Sequence, residues 1–529
     1  MCAAVVLALT ALGAGTRLPT HALDSGGLGL ALYSNNARSN SNLYASAAQL
    51  DDDDDNGEED EYRVLLYIDP SDERQHILPS LERRGIECRM LHSAAAAAKI
   101  VELDPSVADR VRENIAPPAG MESEWAAEEL PEGIVIVGVL CGSDGGLADA
   151  ERLQDALVPH RSNGVNPARR DKYLMVEVMR AAGLASQQQA VTADWAATKA
   201  FIATQQLPVV LKPRRGQASV LVGLAQSEDE AERMDAVLRD SSVSIERLDV
   251  ESNVVVQQHV GGDEWVVDTV SANGEHKALA LWRYDKGRAN GAPFVYFSDE
   301  LRPMEGAVER ALIGYAFDAL DALGWRWGPC HMEIKLAPNI PPGRRDRERD
   351  LGESDVQTGA EASDEQAGAD ARAADGTLPL TPVLIEVNAG RWNGVDFQQL
   401  TSLCTGYDAY EATLDAYLDD DAWADTPRLP PTSLRGHARL VKLVSSVAGT
   451  LRRDPAEAHA EALAAMPSLM RFEPEPSSVG EHVDLTVDLA SAAGFAYLLH
   501  ADEATLTADY QTLRELQPRL FDVGADGAE

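Results

Sequence analysis

The sequence predicts an α/β protein of two or three lobes with a deep cleft between them, and three observations predict it. The chain has 529 residues, more than one ordinary core accommodates. From residue 62 onward, short apolar strand-like runs alternate with helical stretches. Two further runs, 330–336 and 382–388, carry aliphatic side chains on one face and polar ones, two of them carboxylates, on the other.

Charge and cysteine usage narrow the classes of function. The formal charge is -40, which argues against nucleic acid, because a phosphate backbone needs clustered Lys and Arg. Much of that charge is local: 51–61 holds nine acids and no base, and 343–376 holds ten acids against five arginines. An anionic substrate would therefore be met only in a locally basic pocket. The five cysteines (Cys2, Cys88, Cys141, Cys330, Cys404) include no CxxC pair, so neither a zinc knuckle nor a disulfide framework is indicated. No run reaches the roughly 18 apolar residues of a membrane span. Ala3 to Leu12 resembles the apolar region of a secretory signal, and the Ser/Asn/Ala-rich stretch to residue 50 an organelle (plastid) transit segment. A disordered extension on a cytoplasmic protein is the other reading, and both stay open.

The elements follow in order. Strands are expected at 62–68, 86–90 and 133–140, with a helix over 73–84 and another from about 148. The third strand runs into Cys141-Gly-Ser-Asp-Gly-Gly146, the strand, glycine turn and helix order of a Rossmann-like unit. No GxGxxG accompanies it, so a dinucleotide-binding oxidoreductase is remote. A helix is expected from Asn166-Pro167 through Ala182. Pro208 to Leu224 reads as two short strands joined by a glycine-containing loop, and Ser227 with Glu230 as a capping box. Strands at 253–260, 264–271 and 276–282 lead to a long helix over 307–323. The 330–336 and 382–388 runs then pair as a hairpin interrupted by a charged insertion at 341–378. One more alternating strand is expected at 483–489.

The hairpin carries the most chemistry. Met332, Ile334 and Leu336 face one way and His331, Glu333 and Lys335 the other; Val383, Ile385 and Val387 likewise oppose Glu386 and Asn388. Two carboxylates and an amide oxygen on one face suit Mg²⁺, a hard cation that takes one or two carboxylates and completes its octahedron with phosphate and water. A solvated outer face is the competing reading. Lys212 ends an apolar strand before a loop containing Gly216 and Ser219, so an ammonium and backbone N–H groups could meet a polyphosphate together. A strand-terminal lysine beside a turn is the plain alternative. No GxxxxGK[ST] is present, which excludes a P-loop. His259, His331, Trp325 and Trp327 read as structural residues, and Asp268 as a partner for a neighbouring loop.

Taken as an ordered set, Lys172, Lys212, Gln257-Gln-His-Val-Gly-Gly-Asp-Glu264, His331-x-Glu333 and Glu386-x-Asn388 followed by Arg391 resemble the ATP-grasp superfamily. More narrowly they resemble its carboxylate–amine ligases of the L-amino-acid ligase type, over about residues 60 to 520. The resemblance implies α/β lobes: a Rossmann-like preceding domain (62–160), a two-lobed ATP-grasp fold (161–425) and a small C-terminal subdomain (426–529), after a leader and acidic linker (1–61). It implies ATP and Mg²⁺, with Mn²⁺ as a substitute. Lys172 and Lys212 would hold the α- and β-phosphates, helped by the loop of Gly216 and Ser219. Gln257, Gln258 and Val260 would flank adenine, and Glu264 would take the ribose hydroxyls. Glu333, Glu386 and Asn388 would ligate metal, and Arg391 would contact the γ-phosphate and an acyl phosphate. Lys286 or Arg288, in a lid-like segment, would add a cation. The implied partners are a small carboxylate and an amine, with a homodimer allowed.

Three departures from the family pattern stand beside this. The loop after Lys212 is short, Arg391 follows Glu386 by five residues where four is usual, and Gln257 stands where an acid is common. They keep open an ATP-grasp protein that binds nucleotide with impaired turnover, and a carboxylase within the same superfamily remains a more distant alternative.

Overall fold

The computed structural model describes residues 62–131, 133–216, 221–240, 254–343 and 380–524. The expected leader and linker (1–61), nearly all of the insertion (341–378) and Ser219 lie outside the described residues. No helix among the described residues is long and apolar enough to cross a membrane.

Strands β1 (Tyr62–Ile68), β2 (Glu87–Leu91) and β3 (Ile134–Cys141) form a parallel sheet in the order β2-β1-β3. Val64 to Ile68 is buried throughout, as expected of a strand covered on both faces. β4 (Gln189–Thr192), β5 (Val209–Pro213), β6 (Gly223–Ala225) and β7 (Val254–Gln258) make a small antiparallel sheet, ordered β4-β7-β5-β6. The large sheet contains β8 (Glu264–Ala272), β9 (Glu275–Ala289), β10 (Ala292–Arg302), β11 (Gly328–Ala337), β12 (Thr381–Ala389) and β13 (His437–Lys442). A minor sheet of β14 (Gly449–Leu451), β16 (His482–Val483) and β18 (Val523–Gly524) sits apart, while β15 (Leu469–Pro474) and β17 (Gly494–His500) extend the large one. Its order is β12-β11-β8-β9-β10-β13-β17-β15.

Two helices fix the cleft end of the large sheet. Helix Ala307–Ala322 packs Leu312, Ile313, Ala316, Phe317 and Leu320 into the core that also holds Met332, Ile334 and Leu336 of β11. Each of the Leu, Ile, Phe and Met side chains contributes about 1.5–3 kcal/mol on burial. The helix expected from Asn166 begins instead at Lys172, because Asp171 is its N-cap and accepts from the N–H groups of Tyr173 and Leu174. Pro167 starts a separate 3₁₀ turn, Pro167–Arg169. Lys172 thereby occupies the first helical turn, and Gly183, left-handed at φ +78°, ends the helix.

Other expectations need correction. Of the 483–489 run only Val483 is strand, paired in β16 with His482 before it; Leu485 and Val487, which should share the buried face of Val483, are exposed. On β12 the alternation fails at one position. A bulge between Glu333 and Ile334 in the β11–β12 register puts Leu384, rather than Ile385, into the core, and turns Ile385 to the cleft wall beside Glu386. The Ser227 cap forms, but the Glu230 carboxylate reaches back to the N–H of Gln226. Trp325 and Trp327 are buried packing residues, as expected.

The β11–β12 pairing is complete at Ala337 opposite Thr381. Beyond it Ile340 is buried in the core, and a Cβ on Gly343 would come 2.5 Å from the Gly183 oxygen and the Ala185 nitrogen. The local packing thus closes by Gly343. Replacing 344–379 with a short Gly-Ser linker is expected to leave the melting temperature within a few degrees of wild type, since closure entropy varies only slowly with loop length. A large loss in a thermal scan would show that this segment contributes packing.

A candidate active site between the small and large sheets

A cleft of about 450 Å³ opens between the small sheet, the large sheet and the turn after β3. The register of β11 with β12 sets Glu333 directly opposite Glu386 and His331 opposite Asn388. Their aliphatic neighbours Met332 and Val387 anchor the other face in the core. The period-two reading of β11 therefore holds. From the small lobe, β5 delivers Lys212 and the following turn delivers Gly216.

The structure brings together, in the lining of this one cleft, Lys172, Lys212, Gly216, Gln257, Gln258, Val260, Glu264, Lys286, Glu333, Glu386, Asn388 and Arg391. Arg288 is the exception. It is exposed near the Asn290-Gly291 end of the β9–β10 hairpin and does not line the cleft. The segment expected to act as a lid is regular strand, with Lys286 held in the large sheet opposite Tyr296.

Opposite charges are interleaved. Lys172 pairs with Glu386 and Lys286 with Glu264, while Lys335 lies 3.6 Å from the second oxygen of Glu264. A sugar hydroxyl at Glu264 would therefore compete with the longer Lys335 contact. Lys286 also sits 3.8 Å from the Tyr296 ring centroid and 4.4 Å from that of Tyr284, a cation–π cage. Arg391 donates to Asp144 at 2.8 Å. Its five-residue spacing from Glu386 is absorbed by a turn at Gly390 (φ +95°), which returns the guanidinium to the cleft. Gln257 donates its amide N–H to Gln189 Oε1 at 2.6 Å, which leaves its carbonyl oxygen as acceptor.

Burial governs the electrostatics. It pushes the Lys212 ammonium down to about 8, with Lys172 adding repulsion. Glu333 is pushed above the usual carboxylate range by burial and by Glu264 and Glu386, against the pull of Lys286. Burial opposes the charged forms of Glu264 and Lys286 as well, but each holds the other ionised: Glu264 lies below its ordinary range and Lys286 above. Asp144 is likewise held low against burial by Arg391. His331 donates from Nδ1 to the Asp268 carboxylate at 3.0 Å and is raised against burial by that carboxylate.

The donor set fits a hard divalent cation. Glu333 and Glu386 present oxygens across one strand pair, and Asn388 adds an amide oxygen. Among the described residues no three His, Cys, Asp or Glu side chains are placed to hold a metal by themselves. The fit is therefore to an ion that completes its shell with phosphate and water.

Several lining residues were invisible as functional in the sequence: Asp144, Asp299, Trp392, Phe397, Lys442 and Phe495; Tyr284 and Tyr296, by contrast, bound a segment that the family resemblance had included. Only Asp144 had a local signal, its place in the glycine turn after β3. Asp268, expected to bond a neighbouring loop, meets His331 and, at 3.4 Å, Asn393.

A small antiparallel sheet lies over a large one, and lysines from both sides of the cleft face paired carboxylates. No family model matches the sequence. The chain is 27% identical over 284 residues to dapdiamide A synthase of Enterobacter agglomerans, covering 53% of this chain and 65% of that protein. In fold it is similar to the L-amino acid ligase from Bacillus licheniformis (TM-score 0.56, 16% identity, 87% of this chain and 99% of that one). It is also similar to the Aspergillus clavatus N5-carboxyaminoimidazole synthase complexed with ADP and 5-aminoimidazole ribonucleotide (TM-score 0.51, 14% identity, 87% and 99%).

Lys212 yields a prediction that needs no ligand. An unfolded lysine titrates near 10.5 and the folded one near 8, so the charged form costs stability at neutral pH, and the cost vanishes as pH rises between those values. Lys212→Met should therefore raise the melting temperature at pH 7, by up to a stabilisation on the order of 3 kcal/mol, and the advantage should shrink by pH 10. An unchanged or lower melting temperature at pH 7 would contradict the assigned burial cost.

Proposed function

We propose that the chain is an ATP- and Mg²⁺-dependent carbon–nitrogen ligase, joining an amino-acid-like carboxylate to an amine through an acyl phosphate with release of ADP and phosphate. The observation that carries this reading is the convergence of Lys172 and Lys212, from a helix and from the small sheet, onto the cleft that Glu333, Glu386, Asn388 and Arg391 also line. The ATP-grasp relatives, one of them seen with ADP, support it.

In this reading the two lysines grip phosphates as compact point charges. Adenine lies against Gln257, Gln258 and Val260, with the free Gln257 carbonyl accepting from its amine. Glu333, Glu386 and Asn388 would hold Mg²⁺, which would supply positive charge to offset that of the phosphates. Arg391, fixed by Asp144, faces the transferring phosphoryl group. The carboxylate attacks the γ-phosphorus, and the amine then attacks the acyl carbon and expels phosphate. Nothing covalent is asked of the protein, so its contribution is alignment and fixed positive charge. The parallel sheet β2-β1-β3 is read as the Rossmann-like preceding domain and the region from 426 as the C-terminal subdomain.

Glu333→Gln and Glu386→Gln are isosteric changes at the cleft wall and should each abolish carboxylate-dependent ADP formation while the protein still folds. Wild-type rates in both variants at ordinary Mg²⁺ would remove the metal assignment. Lys212→Ala should weaken ATP binding by about 1.5–3 kcal/mol, the scale of one charge-assisted hydrogen bond, and Lys212→Arg should not restore it. Calorimetry showing unchanged ATP affinity in Lys212→Ala would defeat the nucleotide reading.

A further inference from the structure

The small sheet carries a chain of amides that ends in the cleft and begins outside it. Strands β4 and β7 pair antiparallel with Gln189 directly opposite Gln257. On the other edge of β7, Gln257 is opposite Val210 and Val255 opposite Lys212. Gln257, Val210 and Lys212 therefore share the face that lines the cleft, while Val209, Leu211, Val254 and Val256 pack into the small lobe's own core. Gln257 donates from Nε2 to Gln189 Oε1 at 2.6 Å. Gln189 donates in turn from Nε2 to the Tyr173 carbonyl at 2.7 Å and to Glu177 Oε1 at 2.9 Å. Those two acceptors lie one turn apart on helix Lys172–Ala182, and Glu177 is also paired with Arg180.

These bonds can run in one direction only. A backbone carbonyl and a carboxylate accept and do not donate, so the Gln189 amide turns its nitrogen toward Tyr173 and Glu177. Its oxygen is left for Gln257, and an oxygen there needs an N–H to meet it. Gln257 thus directs its own N–H at Gln189 and turns its carbonyl to the cleft. A glutamine held by nothing could offer a ligand either end. Here, reversing one amide sets oxygen against oxygen at a residue only 3% exposed, where solvent gives little relief.

We propose that Gln189, held by Glu177 and the Tyr173 carbonyl, is a positioning residue that fixes the direction of the Gln257 amide and so selects a 6-aminopurine triphosphate over a 6-oxopurine one. This rests on the nucleotide reading above and places the choice of base on residues that do not themselves line the cleft. A 6-oxopurine would bring its carbonyl against that of Gln257, whereas an exocyclic amine donates to it. The same chain accounts for an amide at 257 where an acid is common. A carboxylate there would face the Gln189 oxygen with no proton between them. Lys172 begins the helix that bears Tyr173 and Glu177, so the amide chain and a phosphate-holding lysine share one mount.

Full-length protein would be titrated calorimetrically with ATP and with inosine triphosphate, which differs from ATP in carrying an oxo group for the amine, both in the presence of Mg²⁺. Wild type should bind ATP about tenfold more tightly or better. Gln189→Leu leaves the Gln257 amide free to turn over. Affinity for ATP should then fall, affinity for inosine triphosphate should rise, and the ratio between them should drop about tenfold. A general loss of structure produces no such gain. Gln257→Glu alone should weaken ATP binding about tenfold, and Gln257→Glu/Gln189→Lys should recover it, because an ammonium donates to both carboxylates. That pair keeps the test decisive if Gln189→Leu folds poorly. Wild type without a preference for ATP, an unchanged ratio in Gln189→Leu, or undiminished ATP affinity in Gln257→Glu alone overturns the proposal and leaves the nucleotide reading standing. Wild type that binds neither nucleotide removes both.

Discussion

Antiparallel pairing of β11 with β12 sets Glu333 directly opposite Glu386 at the cleft wall. Two carboxylates held face to face by a rigid ladder repel one another, and the backbone cannot yield to relieve them. The surrounding cations answer that constraint from three directions: Lys172 from a helix, Lys286 from β9 and Lys212 from β5. Further restraint comes from Glu264 on Lys286 and, at the cleft's edge, from Asp144 on Arg391. The alternating charge of the cleft follows from one strand register.

Such an arrangement weighs against the stability of the fold. Buried ion pairs return little more than their desolvation cost, and Lys212 and Glu333 are both displaced from their ordinary ranges by burial. The expense is borne by the apolar side of the same strands. Met332, Ile334 and Leu336 lie in one core with helix Ala307–Ala322. Scaffold and site are opposite faces of one sheet.

This two-faced pattern is also why so much could be read in the sequence. Period-two alternation at 330–336 identified both the core of β11 and the carboxylate facing the cleft, and β1 matched its expected limits at both ends. Failures came where local geometry breaks the period. A single bulge exchanged Ile385 with Leu384, an Asp171 cap moved a helix start by several residues, and Arg288 sits too near a hairpin turn to face inward. Lys442 and Asp299 carried no signal, because a lone lysine or aspartate on a strand gains meaning only when distant strands become neighbours. The Ser219 reading stays outside the described residues.

One contact beside the cleft has a consequence of its own. The Lys172 backbone N–H donates to the Arg214 carbonyl at 2.8 Å, and the Arg214 guanidinium pairs with Asp171 at 2.5 Å. The strand end that carries Lys212 is thereby clasped to the helix start that carries Lys172, although the two belong to opposite sides of the opening. The Arg214 side chain is 29% exposed, so dissolved ions reach this clasp and weaken it. The ease with which the mouth opens would then follow the ionic strength of the medium.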